Sequence, residues 1–401
     1  MRPSAEQRLS RDVVVLGVIA FFVMVGFGVV VPVLPVYVRS FGVGYVEVGA
    51  VVSAFALMRL IASPFCGRLI DRGGERTVLA VGIGVVAGSS GLVGFAQSYL
   101  EVLLLRGAGG IGSAMFSVSA MTLLLSSTRP SLRGRSVGFY QGGFLIGGMA
   151  GPALGGFLAL ISLRAPFFFY AGTLVIAGII GLALLRSQSR GGREEDNERA
   201  VHIPFRVVLR DRRFRAACLA NFAQGWTSLG VRSALIPILV VEVLHRDTVW
   251  TGIAFAVAAV AQTLALAPAG KFVDTVGRKP AIIGAFVVGA VTMLVIPFAP
   301  DIWTLTALLC VYGVAAAFMG TAPAAAVGDA AGARSGQPVA VFSMFSDLGA
   351  IIGPLVAGAL VDAVSYPAAF GVAVLLMLAA SAYALRMPGG IAETIPAVTR
   401  R

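Results

Sequence analysis

The chain has 401 residues, 58% of them hydrophobic and 12% charged, with a mean hydropathy of +0.90. So little charge cannot cover the surface of a water-soluble protein of this length, and apolar runs of about 18 or more residues, each able to cross the ~30 Å hydrocarbon layer as a helix, recur throughout. The formal charge of +12 would suit a nucleic-acid binder, but the placement of the basic residues argues against one.

Twelve apolar segments can be marked, at about 13–38, 46–66, 77–98, 100–125, 137–161, 165–186, 214–241, 249–270, 280–299, 302–326, 339–361 and 366–386. The first lacks a small-residue cleavage site and reads as a retained helix rather than a signal peptide. The longest polar stretch, 187–213, divides the chain into six segments and six. The expected organisation is therefore all-α: a six-helix bundle over 1–186, a central loop over 187–213 and a second six-helix bundle over 214–401. With both termini in the cytoplasm, cytoplasmic segments hold 25 Arg and Lys and external loops hold three, Arg39, Arg164 and Arg246. That asymmetry sets the orientation and puts the positive charge against anionic lipid rather than nucleic acid. Residues 202–219 interleave Ile203, Phe205, Val208 and Leu209 with five arginines, which reads either as an interfacial amphipathic helix or as a solvated basic linker. His202 and His245 are isolated and read as solvated. Cys66, Cys218 and Cys310 are far apart in apolar segments, with no metal or redox spacing.

The remaining three arginines lie within predicted helices. Arg59, in the second, precedes the glycine of "GRLIDRGGER" by eight residues, about 12 Å at 1.5 Å per residue. Arg106, in the fourth, begins Arg106-x-x-x-Gly110-x-Gly112. A membrane-buried arginine needs a partner or a wet cavity; near the outer interface it would instead pair with Glu101 or snorkel. Arg232, in the seventh, forms a polar patch with Asn221, Gln224 and Trp226. Tyr140, Gln141 and Gln262 are further residues able to line a cavity. Asp347, in the eleventh, is the one acid well inside a predicted helix and the leading candidate for a proton-carrying group.

The two halves repeat. Pro35 matches Pro237 and Gly151-Pro152 matches Gly353-Pro354, both at an offset of 202; Gly67 matches Gly270 at 203. The chain is a duplicated six-helix unit, an arrangement known in secondary transporters with a site at the interface of the repeats.

With these motifs in hand, the whole chain resembles the major facilitator superfamily, in its drug/proton antiporter branch. Gly67, Asp71, Arg72 and Gly74 resemble the family's signature between helices 2 and 3, where glycines permit a turn and the acid and arginine tie the loop to helix ends. The resemblance implies a cytoplasmic latch. Glu75 stands where the family usually has a basic residue. The second copy keeps Gly270, Asp274, Gly277, Arg278 and Lys279, with Thr275 in place of Arg. Arg106 resembles the family's helix-4 arginine, associated with proton coupling, although Gly109 replaces the usual Gln. Gly138, Gly147, Gly151, Pro152, Gly155 and Gly156 reproduce the helix-5 antiporter motif at every position. Their small-residue face is expected to approach a matching face on helix 8. In the resembled fold helices 2 and 11 face each other, so Arg59 and Asp347 are expected to pair or compete across the cytoplasmic gate, with a static ion pair as the plainer alternative.

The functional expectation is a secondary exporter of small amphipathic molecules in the cell membrane. It would work by proton antiport and alternating access, as a monomer without a cofactor; no phosphate-binding loop is present for ATP. The absence of an acid from the first helix, against three helical arginines, favours neutral or anionic substrates. Alternatives are an uptake symporter on the same fold and, more remotely, a non-transporting membrane sensor or scaffold.

Overall fold

The structure, a computed structural model, describes residues 9–128, 132–185, 205–331 and 336–388; the segment 186–204, with His202, lies outside them. Twelve helices are long and apolar enough to span a membrane: α1 Arg11–Val30, α2 Tyr45–Gly73, α3 Glu75–Val93, α4 Tyr99–Ser126, α5 Arg135–Ile161, α6 Ala165–Leu184, α7 Arg212–Val243, α8 Thr248–Thr275, α9 Arg278–Phe298, α10 Ile302–Ala330, α11 Gln337–Ala363 and α12 Tyr366–Ala384. Hydroxyl and carboxylate caps mark several starts, where orphan backbone N–H groups need acceptors: Ser10 accepts from Val13 N, Ser98 from Glu101 N and Ser365 from Ala368 N. Leu104, Leu264 and Leu375 are exposed, as a surface facing hydrocarbon allows.

The structure differs from the hydropathy reading in four places. The first segment is not one helix: α1 stops at Val30, and a short helix, Leu34–Arg39, resumes after a turn. Pro32 and Pro35 cause this, since each removes an N–H and restricts the residue before it. α2 and α8 continue seven and five residues past the ends of their apolar runs, to 73 and 275. Charge marks where hydrocarbon ends; the helix itself ends only where Gly74 (φ 79°) and Gly277 (φ 120°) take a conformation closed to L side chains. The described part of 202–219, from Phe205 on, is not one continuous helix: Phe205–Val208 is helical and Asp211 then caps α7, accepting from Arg213 N at 2.7 Å. Finally, α7 holds two π-helical stretches, Gly225–Val231 and Leu239–Val243. They lie on either side of Pro237, which lacks a backbone N–H for the ladder.

Two compact units result, one of residues 1–195 and 233–256, the other of 196–232 and 257–401. In the first, α1 packs along α5 and α6, and α4 along α2 and α3. In the second, α7 packs along α11 and α12, and α9 along α10 and α12. The sequence offsets recur as packing contacts. A Cβ on Gly110 of α4 would collide with the Phe55 carbonyl of α2; Gly313 of α10, 203 residues on, meets the Ala258 carbonyl of α8 at 2.6 Å. Gly28 and Gly151 make the α1–α5 crossing; Gly230 and Gly353, each 202 residues on, make the α7–α11 crossing.

Candidate functional site

In the second unit a cavity of about 330 Å³ opens beside α7. One stripe of that helix supplies Asn221, Gln224, Ser228 and Arg232, spaced three or four residues apart so that they share a face. Gln262 of α8 and Ser346 of α11 complete the polar lining. Asn221 is already committed, its Nδ2 donating to Phe342 O at 2.7 Å. Ser228 Oγ and Tyr312 OH are hydrogen-bonded at 2.6 Å, and the Arg232 guanidinium carbon lies 5.8 Å from the Tyr312 ring centre. Tyr312 is fully buried and therefore holds both groups in place.

Four residues singled out in the sequence, Asn221, Gln224, Arg232 and Gln262, thus meet in one cavity. Trp226 is buried against Gly349 and Gly353 of α11 instead; two residues past Gln224, it falls off the lining stripe. Gln141 is exposed on α5 and Tyr140 is buried against Phe144, with ring centres 5.0 Å apart; neither lines this cavity. Ser228, Tyr312 and Ser346 were not legible in the sequence, because hydroxyls carry no charge to flag them in an apolar run.

In the first unit Arg106 is 7% exposed, with its guanidinium carbon 4.5 Å from the Phe55 ring centre. Among the described residues its Nε has no hydrogen-bond partner. Glu101 serves its own helix end, accepting from Gln97 N at 2.9 Å. A desolvated cation–π contact with Phe55 stabilises Arg106 here.

The α5 glycines were expected to approach helix 8; within the first unit they chiefly face α1. A Cβ at Gly147 would lie 2.6 Å from Phe21 O, one at Gly151 2.7 Å from Gly28 Cα, and one at Gly155 would collide with Val29 O. Their four-residue spacing forms a ridge with no side chains, and α1 lies in it. Gly156 and Pro152 are the members of the motif that meet α8: a Cβ on Gly156 would lie 2.8 Å from Val249 O, and Gly252 is pressed against Pro152 O in return. Gly138 meets open space.

The loop motif is mostly helix. Gly67, Asp71 and Arg72 end α2, Gly270 and Asp274 end α8, and only Gly74 and Gly277 make turns. Gly67 and Gly270 adjoin open space. In the second copy Arg278 pairs with Asp329 of α10 at 2.9 Å and with Asp274 at 3.7 Å, and donates to Val273 O at 2.9 Å. Lys279 donates to Met387 O beyond α12 at 3.0 Å. In the first copy Arg76, 203 residues before Lys279, donates to Leu182 O of α6. Glu75 and Ser126 occupy the positions equivalent to Arg278 and Asp329. At these positions the first copy has no counterpart of the Arg278–Asp329 bridge.

Arg59 on α2 and Asp347 on α11 are both half-buried.

The opposite end carries a cluster the sequence did not reveal. Arg39 Nε donates to Glu242 Oε1 at 2.8 Å, and Tyr45 OH donates to the other carboxylate oxygen. Arg39 also donates to Val43 O and lies 4.4 Å from the Tyr45 ring centre. This cluster ties the far end of α7 to the start of α2. Residues about 200 apart contribute, so no local motif announced it.

A duplicated twelve-helix membrane protein with a polar cavity among its helices is built as a secondary transporter. The chain belongs to the Major Facilitator Superfamily, whose model matches residues 16–261 and 225–396; it is a multi-pass membrane transporter and not an enzyme. It is 25% identical over 360 residues to the quinolone resistance protein NorA of Staphylococcus aureus (strain COL), covering 88% of this chain and 91% of that one. It is 30% identical over 176 residues to multidrug resistance protein 1 of Bacillus subtilis (strain 168), covering 44% and 45%. Among solved structures, a bacterial homolog of the human lysosomal transporter Spinster, inward-facing and occupied, matches with a TM-score of 0.74 at 16% identity, over 93% of this chain and 95% of that one. The human organic anion transporter MFSD10 matches with a TM-score of 0.67 at 19% identity, over 95% and 100%. These two share the fold.

Proposed function

We propose that the chain exports small amphipathic molecules from the cell in exchange for protons. The observation that carries this reading is the match over 91% of the length of a quinolone resistance protein; the complete helix-5 glycine motif agrees with it. The arginine-rich helix ends and both termini face the cytoplasm. The substrate occupies the cavity beside α7. Alternating access proceeds by the two repeats rocking about it, and the chain works as a monomer in the bilayer without a cofactor. Asp347 carries the proton, with Arg59 competing for its carboxylate in one state. The Arg39–Tyr45–Glu242 cluster is the external latch, broken when the 233–256 segment leaves the first helices.

The test uses inside-out vesicles energised to an acidic interior, a panel of dyes, antibiotics and sugars, and a pH-sensitive fluorophore. Substrate-induced proton release is expected from the native chain and not from Asp347→Asn. Release from both moves the proton site elsewhere. Uptake accompanied by proton movement in the same direction as substrate replaces antiport with symport.

A further inference from the structure

We propose that Arg232 receives the carboxylate of the transported molecule, so that the chain selects amphipathic monoanions or zwitterions. The inference rests on the transport reading above and adds its substrate class. It stands on the composition and geometry of the α7 cavity.

Among the described residues that line the cavity, Arg232 is the one charged side chain, and none is Asp or Glu. A cavity built for an organic cation needs a carboxylate or a bare aromatic face. Here the polar lining is rich in donors: a guanidinium, the amides of Gln224 and Gln262, and the hydroxyl of Ser346. An arginine fork matches a carboxylate in two parallel hydrogen bonds. Its position is prepared in advance. The guanidinium stands beside the buried ring of Tyr312, whose hydroxyl is tied to Ser228 at 2.6 Å. A cation fixed on a ring loses little rotamer freedom when it binds. The lining also includes Leu229, Ala316 and Phe342, which give an apolar body something to touch. At about 330 Å³ the space suits a small drug-sized molecule. The described lining offers one guanidinium fork, which matches one carboxylate. A phosphate monoester would bring a second negative charge into a low-dielectric site whose described lining holds no second Arg or Lys, so a carboxylate is the better occupant.

The experiment measures binding to the full chain in lipid nanodiscs by equilibrium dialysis. Three ligands share one ring system: 2-naphthylacetate, 2-naphthylacetamide and 2-(2-naphthyl)ethylamine. The native chain should bind the acetate at least about tenfold more tightly than the amide or amine, the scale of one charge-assisted pair. Arg232→Gln should reduce the acetate's advantage over the amide to about twofold or less, while Arg232→Lys should keep part of it. Retained amide binding shows that each variant is folded. Equal binding of acetate and amide to the native chain, a preference for the amine, an acetate preference that survives Arg232→Gln, or no binding of any of the three would each overturn the proposal. Flux in proteoliposomes separates the two readings. Transport of amine or amide without acetate leaves transport standing and removes the carboxylate site. Arg232-dependent acetate binding without flux of any of the three does the reverse.

Discussion

Replacing Glu242 by Gln should loosen the far end of α7 from the start of α2. The carboxylate holds Arg39 at 2.8 Å through one oxygen and Tyr45 through the other, with the two charged side chains 28% and 33% exposed. Fully exposed pairs contribute ~0.2–1 kcal/mol, and breaking a buried pair costs ~3–5 kcal/mol. Partial exposure and a retained amide oxygen put this loss between them, at about 1–2 kcal/mol, or a shift of about 5–30-fold in the open population. Thr251, on the adjoining start of α8, is fully buried. In a background with Cys66, Cys218 and Cys310 replaced by Ala, Thr251→Cys reports opening through its labelling rate with a membrane-impermeant maleimide added outside. Glu242→Gln should raise that rate by about the same 5–30-fold. Arg39→Gln should do likewise, and the double variant should add little, because both singles break one interaction. An unchanged labelling rate, or strictly additive single effects, would refute the latch.

The α5 ridge makes a paired prediction. Gly155→Ala drives a methyl into the Val29 carbonyl while Gly138→Ala meets open space, so thermal unfolding in detergent should show a loss of about 1–3 kcal/mol for the first and a change within about 0.5 kcal/mol for the second. The turn of the second loop makes another. Gly277→Ala strains a backbone at φ 120° and should cost about 1–3 kcal/mol, whereas Gly270→Ala, helical and unobstructed, should gain up to ~1 kcal/mol. Equal effects within either pair would contradict the assignment of those glycines.

The sequence by itself determined the solvent, the number of helices and the duplication. Hydrocarbon demands a long uncharged helix for each crossing, and that demand is written locally in runs such as 137–161. Offsets of 202 and 203 are likewise visible along the chain, and they reappear as the paired crossings of Gly28 with Gly151 and Gly230 with Gly353. Arg232, Asn221, Gln224 and Gln262 could be picked out because polar side chains are rare in apolar runs. What they assemble into was decided by tertiary structure. Packing against α11 buries Trp226, while Arg232 shares the cavity wall with Asn221, Gln224 and Ser228. Which helix fills a glycine ridge is a property of two surfaces, and α5 alone could not name α1 as its main partner. The Arg39–Glu242 pair joins residues 203 apart, and Ser228 meets Tyr312 across 84. Contacts of that separation leave no periodicity in the chain; packing alone brings their partners together.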